Sequence, residues 1–452
     1  MNSDLKTTPA EKWIINPFNS FISKSTTGGI VLFISALIAI VLANSPLSDW
    51  YHHIWEHKIG LTFDGETYLD YSLHHWVNDA LMAIFFFVVG LELKREIIGG
   101  ELSNPKKAIL PIVAAIGGMV FPAIIYLCFN SGTASSHGWG IPMATDIAFA
   151  LGVLYLLGDK IPVSLKVFLT ALAIVDDLGA VLVIAFFYTA EINFPMLSTG
   201  IGFVAFLLLS KAFGIRNTIF YAIVGIFGVW LPFLLSGVHA TIAAVLVAFT
   251  IPADSKVDEL HFTGKIKKYL DQFKSADTNN APTLTDEQLH ILEHIRITTK
   301  DAMTPLQRLE HGMHALVSFI VMPLFALANA GVTFSNDILA ETTSNVTLGV
   351  VFGLVIGKVI GVFGTSMLMI KLKFSDLPSG ISHRQLFGIG LLASIGFTMS
   401  LFVTNLAFDH PGYEVQAKLG IFIASAIGGI SGFILLNKNN KQLNINNLNT
   451  NA

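Results

Sequence analysis

Charge is what this chain has least of. Only 13% of its 452 residues are Asp, Glu, Lys or Arg, against roughly 25% in a soluble domain. With 53% of residues hydrophobic, there is more apolar surface than one or two soluble cores hold, so lipid is the expected solvent for most of the chain. The net charge of −4 argues against a nucleic-acid partner. Cysteine is nearly absent: Cys128 stands alone, which excludes an internal disulfide, and its place in an apolar run reads as packing. No cleavable signal stands out in residues 1–24, so the apolar run that follows is expected to be retained as a span.

Long apolar runs are what is there. A bilayer core about 30 Å thick needs about 20 apolar residues per helix. Twelve such runs lie near 26–44, 73–98, 107–129, 139–157, 163–188, 195–213, 217–231, 236–251, 306–331, 347–370, 385–407 and 416–437. The seventh and eighth are short, with Pro232 and Gly237 marking the turn between them. With the N-terminus placed inside, all but three of the 27 basic residues fall on the cytoplasmic side. Lys58 and Lys418 are outside and Lys358 is inside a span. By the positive-inside rule this supports twelve spans and two cytoplasmic termini. The expected organisation is a cytoplasmic segment 1–25, spans one to eight over 26–253, a polar cytoplasmic insertion 254–303, spans nine to twelve over 304–437, and a polar cytoplasmic tail 438–452. The outer loop 45–72 carries Asp64-Gly65 between β-prone residues, a hairpin signal. The insertion reads as a solvated linker in which Asp286 to Ile297 can form an amphipathic helix. It holds no soluble-enzyme motif.

Ionisable groups at bilayer depth are expensive and functional by default. They are Asp79, Glu92, Asp146, Asp176, Asp177, His239 and Lys358. Asp176 and Asp177 are adjacent at mid-span. Desolvation and mutual repulsion favour a proton on at least one of them, and hard cations prefer oxygen ligands. A site that takes either has the chemistry of exchange. Asp146 follows Pro142 and Thr145 where a continuous helix is disfavoured, and Gly388, Gly390 and Gly396 weaken span eleven in the same way. Two interrupted spans in separate halves point to a transporter site, a rule whose source cases include the family named below. Asp146 can balance helix N-termini or act as a ligand beside Thr145. Lys358 must pair with an acid, balance helix C-termini or lose its proton. Glu92 either faces Lys94 and Arg95 or gates. His239 titrates near neutrality or makes a structural hydrogen bond. Glu310 and His314 share a helix face, with His311 beside them, as a proton sensor or an interface cluster.

With these residues in view, the chain resembles the NhaA family of sodium/proton antiporters over about 28–437, the insertion excepted. The motifs are Asn78–Glu96, Ile141–Gly152 with Thr145-Asp146, Ala171–Ala180 with Asp176-Asp177-Leu178-Gly179, Ser236–Thr241, Gly357-Lys358, Pro323–Gly331 and Gly396–Ser400. The resemblance implies an all-α polytopic membrane protein of about twelve helices. Spans three to five and ten to twelve would form two inverted repeats containing two interrupted crossing helices. It implies Na⁺ held at Asp176 and Asp177, with Asp177 the main Na⁺ and H⁺ carrier, and Asp146 and Thr145 at the helix crossing. Lys358 would pair with the first aspartate. Glu92, Glu310, His311, His314 and His239 would sense pH or gate. Na⁺ or Li⁺ would leave as H⁺ enters across a bacterial inner membrane, with no cofactor, in a homodimer joined through the hairpin near 61–69. Val359 stands after Lys358 where the best-known members have proline, and the insertion is unusually long for the family. An aspartyl protease would need aspartates on two helices and a Gly-x-Gly-Asp sequence, and a channel would not need the buried lysine with paired carboxylates.

Overall fold

The computed structural model describes residues 25–64, 66–158, 161–189, 192–276, 283–334 and 337–450. The expected N-terminal segment lies almost wholly outside these residues, as do Gly65 of the hairpin signal and the last two residues of the tail.

The polar residues that interrupt the apolar runs also cap the helices. Asn104, Asn193, Asn217, Thr304 and Ser344 each accept a backbone N–H of the helix that follows. Ser382 and Gln385 form a reciprocal capping box. Each such cap is worth about 1 kcal/mol. Among the described residues, eight helices are long and apolar enough to cross a bilayer: span 2 (Leu73–Gly99), span 3 (Pro105–Asn130), span 5 (Val163–Phe187), span 6 (Phe194–Ala212), span 7 (Thr218–Leu235), span 9 (Pro305–Asn329), span 10 (Asn345–Lys371) and span 12 (Pro411–Lys438). Three further helix pairs pass together but are sharply bent. They are span 1 (Ser25–Ala43) with Ser48–Glu56, span 4 (Ala134–Met143 with Ile147–Leu156) and span 11 (His383–Leu392 with Phe397–Ala407). Span 8 is the short apolar helix Ala240–Thr250. These correspond one to one with the twelve apolar runs. The chain is an all-α polytopic membrane protein. Spans 3–5 and 10–12 repeat a straight helix, a broken helix and an apolar helix. The equivalent spans are an odd number apart, so they run in opposite directions.

Spans 3 and 10 pack at backbone distance. A Cβ on Gly361 would lie 2.3 Å from the Gly117 carbonyl oxygen, and one on Gly357 2.7 Å from the Pro122 Cα. Small residues of this kind are how membrane helices approach without a hydrophobic driving force. Span 10 carries two π-helical stretches, Gly353–Gly357 and Val359–Gly364, with Lys358 between them. The helix thus departs from α-helical hydrogen bonding on both sides of the lysine without a proline at 359.

Strands β1 (Lys58–Phe63) and β2 (Glu66–Ser72) pair antiparallel, which is the expected hairpin, with Asp64 at positive φ (52°). β2 leads directly into span 2, so this is the hairpin end of the bundle.

Three expectations are corrected. Cys128 is exposed, on the outward face of span 3 that also carries Ile124 and Leu127; there is no core for it to pack into. Pro232 does not end span 7. It lies inside the continuous helix Thr218–Leu235, just after a π-helical stretch (Val224–Trp230), an irregularity of the kind that accommodates a missing N–H in a membrane helix. The turn falls at Gly237, with φ of +82°. The insertion is no linker: Glu259–Ser275 and Asp286–Ala302 are helices packed on each other, with Tyr269 stacked on His294. Its stem is closed by Lys256, whose N–H donates to the Asp301 carbonyl (3.1 Å) and whose Nζ lies 3.0 Å from the Asp301 carboxylate.

Candidate ion-exchange site at the helix crossing

Both breaks contain polar residues, Thr145 and Asp146 in span 4 and Ser394 in span 11, and they meet. Span 4 stops at Met143 and restarts at Ile147; span 11 stops at Leu392 and restarts at Phe397. The Asp146 N–H donates to the Ile395 carbonyl (2.7 Å) and the Thr145 hydroxyl to the Ala393 carbonyl (2.9 Å). The Asp146 carboxylate, 1% exposed, serves both restarting helices. Its Oδ1 accepts from Phe149 N (2.9 Å); its Oδ2 accepts from Thr398 N (3.1 Å) and the Thr398 hydroxyl (2.5 Å). A helix N-terminus carries roughly half a positive charge, so one carboxylate between two such ends is electrostatically matched.

Asp176 and Asp177 lie midway along span 5, each 1% exposed. Lys358 Nζ donates to Asp176 Oδ2 at 2.7 Å, with both side chains 1% exposed. The other Asp176 oxygen and both Asp177 oxygens are buried with no hydrogen-bond partner among the described residues. Asp177 lies within electrostatic reach of Asp176, Asp146, Glu92 and Lys358. Among the described residues no cluster of three or more His, Cys, Asp or Glu side chains is arranged for a metal ion. Two adjacent carboxylates with three unengaged oxygens are donors of the kind that hold a hard cation or a proton.

A cavity of about 330 Å³ opens at the end of the bundle that carries the insertion. Glu92, Glu310, His311 and His314 all line it, as do Ile147 and Ala148, the first residues after Asp146, and Thr170 of span 5. Arg95 on span 2 pairs with Glu310 and lies 3.0 Å from Glu96, while Glu310 Oε2 is buried and unpartnered. His239 is not with this cluster. It precedes span 8 at the hairpin end, its Nε2 2.9 Å from the Tyr188 carbonyl. Asp79 is at that end too, 2.9 Å from His75. Sequence reasoning passed over Thr398 and Arg95. Thr398 was visible only as part of Gly396–Ser400, and Arg95 as one more basic residue at a helix end.

A buried acid pair with three carboxylate oxygens left without a donor, beside crossed half-helices in an all-α membrane bundle, is the arrangement of an ion-coupled secondary transporter. The family described as Na⁺/H⁺ antiporter 1 matches residues 19–436, and the chain belongs to that family. Its relatives include the Na⁺/H⁺ antiporter NhaA of Oleidesulfovibrio alaskensis, 48% identical over 95% of both chains. The antiporter of the same name from Sulfurimonas denitrificans is 48% identical over 94% of this chain and 95% of its own. Na⁺/H⁺ antiporter NhaA 1 of Saccharophagus degradans is 47% identical over 95% and 94%.

Proposed function

We propose that this chain, an Na⁺/H⁺ antiporter by family, exchanges its ions at Asp176 and Asp177. The observation that carries the reading is three buried carboxylate oxygens without a donor in mid-membrane. Two such acids repel each other and lack solvation; a proton or a small hard cation relieves both problems. The same oxygens cannot hold both, so loading one ion expels the other. Exchange follows when the site faces the two sides in turn. Lys358 engages Asp176 and leaves Asp177 as the principal carrier. Asp146, held by three donors, compensates the two helix ends, and Thr145 supplies a neighbouring oxygen.

The distribution of basic residues supports cytoplasmic termini. On that orientation the 330 Å³ cavity is the cytoplasmic entrance, and Na⁺ or Li⁺ leaves the cell as H⁺ enters. Glu92, Glu310, His311 and His314 then sit where cytoplasmic pH acts on the entrance, whereas the contact of His239 with Tyr188 favours a structural role. We take 26–253 and 304–437 as one transmembrane body interrupted by the insertion 254–303. The two-stranded hairpin, with Ile59 54% exposed, offers unpaired strand edges of the kind that join two copies. Its replacement by a short loop is expected to convert a dimer to monomers in detergent, measured by light scattering.

The test of exchange is reconstitution in proteoliposomes with an internal pH-sensitive dye. Pulses of Na⁺ or Li⁺ are expected to move protons and K⁺ is not. Asp177→Asn keeps the shape but can neither carry the proton nor neutralise the cation, so its response is expected to vanish while the protein still inserts. A normal sodium response from Asp177→Asn would remove the assignment.

A further inference from the structure

Spans 1, 2 and 9 on one side and spans 4, 5 and 11 on the other meet differently at the two ends of the bundle. At the insertion end the two groups part around the cavity. At the hairpin end amide side chains join them. Asn405 of span 11 donates to Asn329 Oδ1 at 2.5 Å. Asn329, fully buried at the end of span 9, donates to Asn78 Oδ1 (3.0 Å) and to the Phe325 carbonyl (2.9 Å). His74, one turn before Asn78, closes a ring: its Nε2 lies 3.0 Å from Asn329 Oδ1 and its Nδ1 3.3 Å from Asn78 Nδ2. With the proton on Nε2, each contact pairs a donor with an acceptor.

Directly beneath lies an aromatic layer. Phe402 packs against Phe86 and Phe325, with ring centroids 5.7 and 6.3 Å apart. The helix Phe397–Ala407 therefore carries three contacts in successive turns. Thr398 holds Asp146, Phe402 fills the aromatic layer, and Asn405 reaches the amide ring.

Resting on the exchange reading above, we infer that the Asn405–Asn329 contact is a releasable latch that closes the hairpin side of the ion site and opens in each transport cycle. The ring of His74, Asn78 and Asn329 joins only spans 2 and 9 and is complete without Asn405. Asn405 adds one bond, and its own Oδ1 is buried without a partner among the described residues. Release breaks that single bond, lets both polar atoms of the Asn405 amide reach water, and leaves the ring standing. A joint in which every buried polar group was satisfied would resist opening; this one is under-satisfied on the side that also carries the ion-site contact.

Thiol labelling tests the latch without transport, so its outcome is separate from that of the Asp177 assay. In a Cys128→Ser background, Met82→Cys places a thiol at a fully buried position one turn below Asn78. Val88→Cys places one in the cavity lining. A membrane-impermeant maleimide is applied to one face at a time. Asn405→Ala is expected to speed labelling at position 82 from the hairpin face about tenfold, equal to a shift of about 1.4 kcal/mol, and to slow labelling at position 88 from the other face. Asn405→Ser is expected to move both rates in the same directions by less. Unchanged labelling at position 82 would overturn the latch. Faster labelling at both positions would also overturn it, as general loosening of the fold.

Discussion

Lys358 and Asp176 are a pair in which neither side chain is more than 1% exposed. Their attraction is largely offset by desolvation, yet deleting one partner strands a buried charge at a cost of about 3–5 kcal/mol. Lys358→Met keeps the length of the side chain and removes the charge. It is expected to lower the detergent melting temperature by an amount matching that cost, at a pH where Asp176 is ionised, and to impair exchange. Adding Asp176→Leu removes the stranded carboxylate and is expected to recover most of the stability and none of the transport. Equal melting temperatures for Lys358→Met and the parent would mean that the pair does not form. The candidate site was legible at this scale because ionised groups are rare at bilayer depth, and Asp146, Asp176, Asp177 and Lys358 stand out against their apolar neighbours. Which oxygens are engaged was not legible. Thr398 on Asp146, Arg95 on Glu310, and the amides of Asn78, Asn329 and Asn405 are uncharged or ordinary residues whose partners are more than 70 positions away in sequence.

The spans were legible from apolar run length, and both breaks from Pro142 in span 4 and from Gly388, Gly390 and Gly396 in span 11. The hairpin was legible from Asp64-Gly65. In the insertion the helix from Asp286 was legible, but its partner Glu259–Ser275 was not, because balanced charge and few apolar residues make that stretch read as a solvated linker. Asp258 caps the helix Glu259–Ser275. Hydrogen bonds from the His261 backbone and ring hold its carboxyl below the usual range. A depressed carboxylate contributes stability above its unfolded pKa, about 3.9, and loses it as pH falls through the lower folded value. The hairpin's helicity is therefore expected to be flat across the pH range in which transport switches. Lys256 and Asp301 already close the stem, so residues 259–299 can be replaced by a short Gly-Ser linker without stretching the chain. Exchange is expected to survive that replacement, since no side chain of the ion site comes from the insertion. Proteoliposomes of the correctly inserted variant check this, and complete loss of exchange would make the helical hairpin part of the transport machinery.

Across the whole molecule, the exchange proposal joins the cavity at the insertion end to the buried acid pair of span 5. If H⁺ and Na⁺ share the carboxylates of Asp176 and Asp177, a proton must leave before Na⁺ binds. Below the site pKa, the apparent Na⁺ dissociation constant then rises about tenfold per pH unit for each competing proton, about 1.4 kcal/mol per unit. Above that pKa the affinity levels off, and the rate falls because protons become scarce at the same oxygens. A bell-shaped rate at limiting Na⁺ follows without a separate sensor. Neutralising Glu310, His311 and His314 together is expected to shift that profile modestly and keep its shape. The most direct measurement is calorimetry of Na⁺ binding from roughly pH 5 to 9, with exchange rates taken in parallel. Competition at the acid pair predicts a dissociation constant that is level above the site pKa and climbs as pH falls below it, in step with the acid limb of the rate profile. A constant Na⁺ affinity over that range, with a rate that still switches on with pH, would contradict it and move control to the Glu and His side chains of the cavity.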